Sequence, residues 1–508
     1  MNRIKLFSQN YLIYFVYFIV LFLVSKYCLT YYPNTGDEFS IYFQSKTFSQ
    51  FQLYSPSLPN NLAKYISPDY IIFQDNKWFS QYPPIYSILL SIGHYIHHPL
   101  FIVFIVSILN ILLIRKILNQ YLMTDATVNN LIIFAIMISP TYFFHSISYY
   151  NHMGELLIYL MSLYFFGKYL DNFEIKNILF FSLLSGLGIG IRPYTTFLLA
   201  TPIFAILSLI ILKNRKFNHF FLLYFPFTAL LCLLLGYNYL LTGNIFQITY
   251  LNAGNNIEHI SISLLNSDSV SRILSMMNNS YKWLFSSGLF EQYNLKSESA
   301  NDHNFGMFFF IVAITYLCYL VYKNRFQKYF YFYLVLILNV LFLIIGHLIV
   351  NLSNGRFGER FFFETQWIIF SFFILAIWKL LEKIPYKIYI FGIIWFLPTL
   401  FLYLPNTAKF FRNSNLERMD LYLKTNDQSF SNAMIHIHST KEFSPRFYTR
   451  NNPDLSGPIY VEFTPEFEIL KINYPNKKHY FYFYHPEKDE SFLKPINENF
   501  SVYDTIFR

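Results

Sequence analysis

Apolar runs without a wet face, each long enough to cross a membrane as a helix, set the pattern of this chain. No Asp, Glu, Lys or Arg interrupts 86–114, 128–154, 193–212, 217–257, 305–322 or 388–408. About 20 apolar residues carry a helix through the hydrocarbon of a bilayer, whereas a helix in water keeps one polar stripe. The pattern predicts an α-helical integral membrane protein with about eleven transmembrane helices: 11–30, 99–118, 127–145, 152–170, 177–192, 194–212, 218–241, 305–322, 329–350, 362–380 and 388–405. Segment 84–97 is apolar but short and ends among His94, His97 and His98, so it reads as a re-entrant or surface helix. In the tail, 406–508, charges return and period-two alternation marks 434–438, 458–463 and 477–484 between Pro, Gly and Asn. That pattern predicts a small extracytoplasmic α+β or β-rich C-terminal domain. The chain thus divides into a polytopic unit, 1–405, and a soluble unit, 406–508.

Composition agrees: 54% of the 508 residues are hydrophobic, 21% aromatic and 13% charged, against about 25% charged in a soluble domain. The formal charge of +9 does not point to nucleic acid, because the basic residues are dispersed over span ends. Arg115/Lys116, Lys168/Lys176, Lys213/Arg215/Lys216, Lys323/Arg325/Lys328 and Lys379/Lys383/Lys387 close alternate spans, which is the signature of cytoplasmic loops. This thread places the N-terminus in the cytoplasm of a plasma (inner) membrane protein, and puts 31–98, 242–304, 351–361 and the tail outside. A full span at 84–97 would turn those basic clusters to the wrong face. Arg3 and Lys5 precede an apolar run as in a signal sequence, but no small-residue cleavage site follows, so 11–30 reads as a retained helix. Cys28, Cys232 and Cys318 fall in or beside spans and read as small hydrophobes. The chain shows no fixed-period repeat, no phosphate-binding glycine loop and no metal-ligand spacing of His or Cys.

Two sets of ionisable residues stand out. Asp37 and Glu38, in NTGDEFSIYFQSKTF, follow the first span directly. An acidic pair at a membrane surface can serve solvation alone. Gly36, however, permits a turn that presents both carboxylates, and 39–54 is aromatic enough to lie on the bilayer surface beside lipid headgroups. The second set closes spans on the same side: Arg192 after SGLGIGI; Arg356, Glu359, Arg360 and Glu364 in NGRFGERFFFE; and His145, His152 and Glu155. Charges at membrane depth are costly and either pair or serve a function. Arg360 and Glu364 stand one helical turn apart and can pair, while Arg192 has no partner nearby in sequence. The histidines read as interfacial hydrogen-bonding groups. A carboxylate with guanidinium groups suits sugar transfer from a polyprenyl phosphate: the carboxylate takes the acceptor's proton, and the planar guanidinium fork matches the departing phosphate. Nucleotide sugars are largely cytoplasmic, so a lipid-linked donor is the natural substrate outside.

These residues also resemble a family, the polytopic type C glycosyltransferases (GT-C), especially bacterial members similar to protein O-mannosyltransferases. The likeness runs in order through GDEF at 36–39, KWFSQYPP at 77–84, SPTYFF at 139–144, GIRPYT at 190–195, YNYLLTG at 237–243 and GRFGERFFFE at 355–364. It covers about 30–405 and continues more faintly around NNPDLSGPIYVEF, 451–463. The resemblance implies an inverting transferase whose first outer loop, 31–98, supplies the catalytic carboxylate. By it, Asp37 is the general base and Glu38 orients Asp37 or the acceptor. Arg360, Arg192 and Arg356 hold the donor phosphate; Tyr82, Pro83 and Pro84, with Glu155 and Glu364, line the cavity. Ile85 and Tyr86 depart from the small residues or Trp expected after the prolines, and Phe361 from the Tyr expected after the arginine. Some type C enzymes bind a divalent cation (Mg or Mn) at the acidic pair; two carboxylates alone leave this open.

The implied partners are a polyprenyl-phosphate sugar donor, membrane lipids, and a glycan, lipid or protein acceptor. A transporter or flippase of lipid-linked glycans would place charges mid-span in repeated halves; here the charges stand at span ends and no repeat is visible. A ligase would carry a large late outer loop, and a scaffold would need no acidic pair. The topology has a direct check. With the three cysteines replaced, Asn476→Cys is expected to react with a membrane-impermeant maleimide from outside, and Lys216→Cys only after the membrane is opened. The opposite labelling would invert the thread.

Overall fold

The computed structural model describes residues 2–56, 70–122, 124–245, 305–327, 329–351, 362–438, 451–464, 467–485 and 490–497, with a few single positions between them. Among the described residues fourteen helical segments make the apolar part: α1 (Asn2–Leu29), α2 (Gly36–Ser49), α3 (Pro84–His94), α4 (Leu100–Tyr121), α5 (Ala126–Ile138), α6 (Pro140–His145), α7 (His152–Asn172), α8 (Ile175–Ile189), α9 (Pro193–Lys213), α10 (Asn218–Thr242), α11 (Phe305–Lys323), α12 (Phe330–Ile349), α13 (Phe363–Leu380) and α14 (Lys387–Phe391). Among the described residues six are long and apolar enough to cross a membrane, in α1, α4, α9, α10, α12 and α13, and α5, α8 and α11 are shorter apolar helices. Helices α4, α7, α8 and α10 pack in succession, α9 lies on α12, and α11 on α13. Large apolar side chains on the outer faces stay more than half exposed, among them Phe15, Leu23, Phe197, Leu209 and Leu233. Such a belt is stable only against lipid.

Two expected spans differ in form. The 127–145 run is two helices, because Ser139 leaves the helical region at ψ 126° ahead of Pro140, which has no N–H to continue the ladder. The 388–405 run passes from α14 through two π-helical turns, Gly392–Phe396 and Thr399–Tyr403, around Pro398. It then continues as α15 (Leu404–Asn413) beyond the expected end. Segment 84–97 forms only the eleven residues of α3, about 16 Å of helix, too short for a hydrocarbon layer of about 30 Å.

A second layer covers α2. Strands β1 (Ser55–Pro56), β2 (Ile71–Gln74) and β3 (Lys77–Ser80) form an antiparallel sheet in the order β1-β3-β2. Asp75 and Asn76 both take positive φ, 49° and 59°, as the two-residue turn of such a hairpin requires. Two short strands, β4 (Ser261–Ile262) and β5 (Val350–Asn351), pair antiparallel. In the tail, α16 (Leu416–Lys424) precedes a mixed sheet of β6 (Ala433–His438), β7 (Ile459–Glu462), β8 (Lys478–His485) and β9 (Glu490–Pro495), ordered β7-β6-β8-β9. Here β6 runs parallel to β7 and β8, and β9 closes the edge antiparallel. Helix α17 (Phe467–Asn473) provides the crossover between β7 and β8.

Alternation in β6 fixes how this sheet is used. Ala433, Ile435 and Ile437 join Leu421 and Tyr422 of α16 on one face. Met434, with Ile459 and Val461, packs on the other against Phe39 and Phe43 of α2 and Trp78 of β3. The expectation that 39–54 lies on the bilayer surface is therefore corrected for most of its length. Phe39 and Phe43 are buried under the sheet, and only its end, with Phe51 at 90% exposure, stays open. The sheet and the first loop form one apolar contact because α2 carries aromatic residues on the face away from the bundle. Trp78, 1% exposed, lies at its centre. Trp78→Ala is expected to remove about 3–5 kcal/mol, read as a lowered unfolding temperature of the purified protein; an unchanged midpoint would place the contact elsewhere.

Candidate active site

The acidic pair sits at the head of α2. Gly36 is its first residue, Asp37 and Glu38 the next two, and Thr35 caps it by accepting the Glu38 N–H at 3.4 Å. Glu38 reaches back so that its Oε2 accepts the Asn34 N–H at 2.7 Å. This is a capping-box arrangement, written in the sequence as Thr35-Gly36-Asp37-Glu38. Gly36 has no positive φ, so the expected special turn is absent and ordinary capping presents the pair. Glu38 is fully buried and Asp37 half-buried. The free amides at a helix N-terminus favour negative charge at both positions.

Tyr82 reaches Asp37 from the end of the hairpin, its hydroxyl donating to Asp37 Oδ1. Its backbone is pinned: the Tyr82 N–H donates to Ser80 Oγ at 3.0 Å, and Ser80 Oγ lies 2.6 Å from Ser40 Oγ of α2. Pro83 caps α3 and Pro84 opens it. Neither has an N–H, so the next amide is that of Ile85, which donates to Gly190 O at 2.9 Å. A Cβ at Gly190 would collide with Ile85 Cγ1, and one at Gly154 would lie 2.5 Å from the Tyr86 ring. Only glycine lets the 82–86 segment approach α7 and the end of α8 this closely. The segment thereby joins the acidic pair to Arg192, two residues beyond Gly190.

Arg192 is the N-cap of α9. Its NH1 donates to Glu364 Oε1 of α13 at 2.5 Å and to His152 Nδ1 of α7 at 2.6 Å. His152 Nδ1 also lies 3.1 Å from Glu364 Oε1. Arg192, without a partner nearby in sequence, finds one 172 residues away. His145 and His152 are both buried. His145 Nδ1 lies 2.7 Å from Thr141 O and its ring stacks on Phe363 at 4.4 Å. Asn151 Nδ2 donates to Ile191 O at 3.0 Å, locking the same corner. Glu155 accepts from Thr196 Oγ1 at 2.7 Å and lines a small pocket with Tyr159, Ser162 and Ser185. Arg356, Glu359 and Arg360 lie outside the described residues.

One residue that no local pattern singles out enters from the tail. Arg418 of α16 is 1% exposed; its NH1 donates to Pro33 O and its NH2 to Leu29 O at 2.9 Å. Burial pulls its pKa below the usual arginine value, and the neighbouring Tyr422 and Glu38 oppose that pull. In the stretch LERMDLYLK it reads as a solvated charge. For a divalent cation the donors do not converge. Asp37 faces Tyr82 while Glu38 turns back to Asn34, and among the described residues no three His, Cys, Asp or Glu side chains gather.

No protein-family model and no curated protein matches the sequence. Among solved structures the chain is similar to ArnT from Cupriavidus metallidurans bound to undecaprenyl phosphate, with a TM-score of 0.54 and 10% identity over 94% of this chain and 93% of that one. The apo state of that ArnT gives 0.49 with 11% identity over 94% and 93%. The apo oligosaccharyltransferase of Archaeoglobus fulgidus gives 0.40 with 12% identity over 88% and 64%. The first of these defines the class: the chain has the fold of a polytopic type C (GT-C) glycosyltransferase, with a small sheet domain at its C-terminal end.

The Arg192–Glu364 pair has a thermodynamic signature. Removing one partner of a buried ion pair strands the other, so Arg192→Met alone is expected to cost about 3–5 kcal/mol. The double variant Arg192→Met/Glu364→Leu should recover much of that loss in thermal unfolding. Additive losses would deny the coupling.

Proposed function

We propose that the protein is an inverting glycosyltransferase that moves a sugar from a polyprenyl-phosphate-linked donor to a glycan, lipid or protein acceptor on the extracytoplasmic face of the plasma membrane. The observation that carries the reading is Asp37: a half-buried carboxylate held at the head of α2 by capping and by the Tyr82 hydroxyl, in a chain of this fold. The undecaprenyl phosphate of the similar ArnT structure supports a lipid-phosphate donor here.

The reaction follows from these groups. Asp37 accepts the proton of an acceptor hydroxyl, and that oxygen attacks the anomeric carbon from the side opposite the phosphate. The bond from the anomeric carbon to the phosphate oxygen breaks, its electron pair leaves with the lipid phosphate, and the sugar's configuration inverts. The departing phosphate is a stabilised anion, so no general acid is required, and cationic donors lower its energy as charge develops. Arg192 fits this role, since both of its side-chain contacts among the described residues use NH1 and a guanidinium carries five donors. Arg360 and Arg356 are proposed to act with it. Glu38 holds the turn that carries Asp37, and Tyr82, Pro83 and Pro84 shape the cavity wall, with Glu155 and Glu364 behind it.

The test is complementation of cells lacking the protein, with surface glycans weighed by mass spectrometry at equal protein level. Loss of the base is expected to slow transfer by about 10²–10⁴-fold, so Asp37→Asn should erase a hexose- or pentose-sized mass, and Arg360→Ala should reduce it. Unchanged glycans in Asp37→Asn would reject the base and favour a transporter, flippase or ligase of lipid-linked glycans.

A further inference from the structure

We propose that Arg418 is a positioning residue for the acidic pair, so that the C-terminal unit completes the site built by the membrane helices. The inference rests on the reading of Asp37 as the base. It starts from the turn between α1 and α2. Thr30 and Tyr31 both take left-handed backbone conformations, with φ of 51° and 65°, which cost energy for residues with a Cβ and persist only where the surroundings hold them. Two contacts hold this turn from outside it. Tyr149 OH donates to Tyr31 O at 2.8 Å, and the Arg418 guanidinium spans the turn from Leu29 O to Pro33 O.

The next residue, Asn34, gives its N–H to Glu38. A chain of direct bonds therefore runs from Arg418 through the strained turn to the capping box that presents Asp37. Leu29 is the last residue of α1, where carbonyls lack helical partners and favour a cation. A guanidinium buried this deeply is costly unless its donors are used; here NH1 and NH2 donate to the two ends of the loop that carries the pair, while Nε finds no partner among the described residues. Its charge also acts on Glu38. Around Glu38 and Arg418 stand the phenols of Tyr32, Tyr86, Tyr149 and Tyr422, while Glu417 and Asp420 of Arg418's own helix lie beside Tyr482. Arg418 is thus a cation set beside Glu38 at the turn that leads to Asp37.

The experiment uses the full chain in the deletion strain, scoring surface glycan per molecule of protein, and undecaprenyl phosphate as a binding probe for the purified protein. Displacing the base should cost about 10- to 100-fold in transfer, so Arg418→Met is expected to lose that much while binding the probe as wild type does. Arg418→Lys keeps the charge but lacks the planar fork that reaches both carbonyls, so it should recover part of the rate and not all of it. A wild-type rate per molecule in either variant, or equal losses in both, overturns the proposal. If Arg418→Met does not fold, the rate of Arg418→Lys decides. Asp37→Asn separates the two readings. Its inactivity beside normal Arg418 variants leaves the base standing and removes the positioning role, whereas its activity rejects both.

Discussion

The hydrogen bonds that cap α2 set the geometry on which the candidate site depends, because they convert an ordinary helix start into a fixed platform for two carboxylates. Thr35 and Glu38 satisfy backbone donors that would otherwise face a poorly hydrated corner. Asp37, between them, is left pointing at Tyr82. The platform is supported from both sides. The hairpin delivers Tyr82 from the first loop, and the tail delivers Arg418 beneath the preceding turn. A helix start held by only one of these would fray, since the last and first turns of helices are their least stable parts.

Membrane depth imposes a second constraint, that charge must be partnered. Arg192, Glu364 and His152 come from α9, α13 and α7 and meet within 3.1 Å. Each would be costly alone in an apolar bundle, and together they tie three helices at one point. Glycine makes the geometry possible. Gly190 and Gly154 let the segment after the paired prolines lie directly on the helices that carry this cluster. The acidic pair and the arginine cluster are therefore parts of one corner of the molecule, connected through residues 82–86.

Covering α2 with the tail sheet has an energetic logic. Phe39, Phe43 and Trp78 face away from the bundle and would be exposed without Met434, Ile459 and Val461. Burying them gives the first loop a core of its own, and it makes the order of the loop depend on the order of the tail.

Much of this was legible in the sequence, for physical reasons that are local. Long runs without charge declare membrane helices because lipid admits little else. Alternation in 434–438 declared a strand because side-chain direction alternates along a strand, whereas Thr35-Gly36-Asp37-Glu38 was read as a turn and proved to be a helix start. The breaks at Pro140 and around Pro398 went unread inside runs that are apolar throughout, and packing decided their form. What the sequence could not decide is who meets whom across distance. The partner of Arg192 lies 172 residues on, and Arg418 joins a carbonyl 385 residues before it. A charged residue in a short polar helix reads the same whether it faces water or closes a turn in the core. Local pattern determined the elements and the acidic pair; only the folded chain, by bringing remote segments within hydrogen-bond distance, decided which charges are partnered and which residues hold the pair in place.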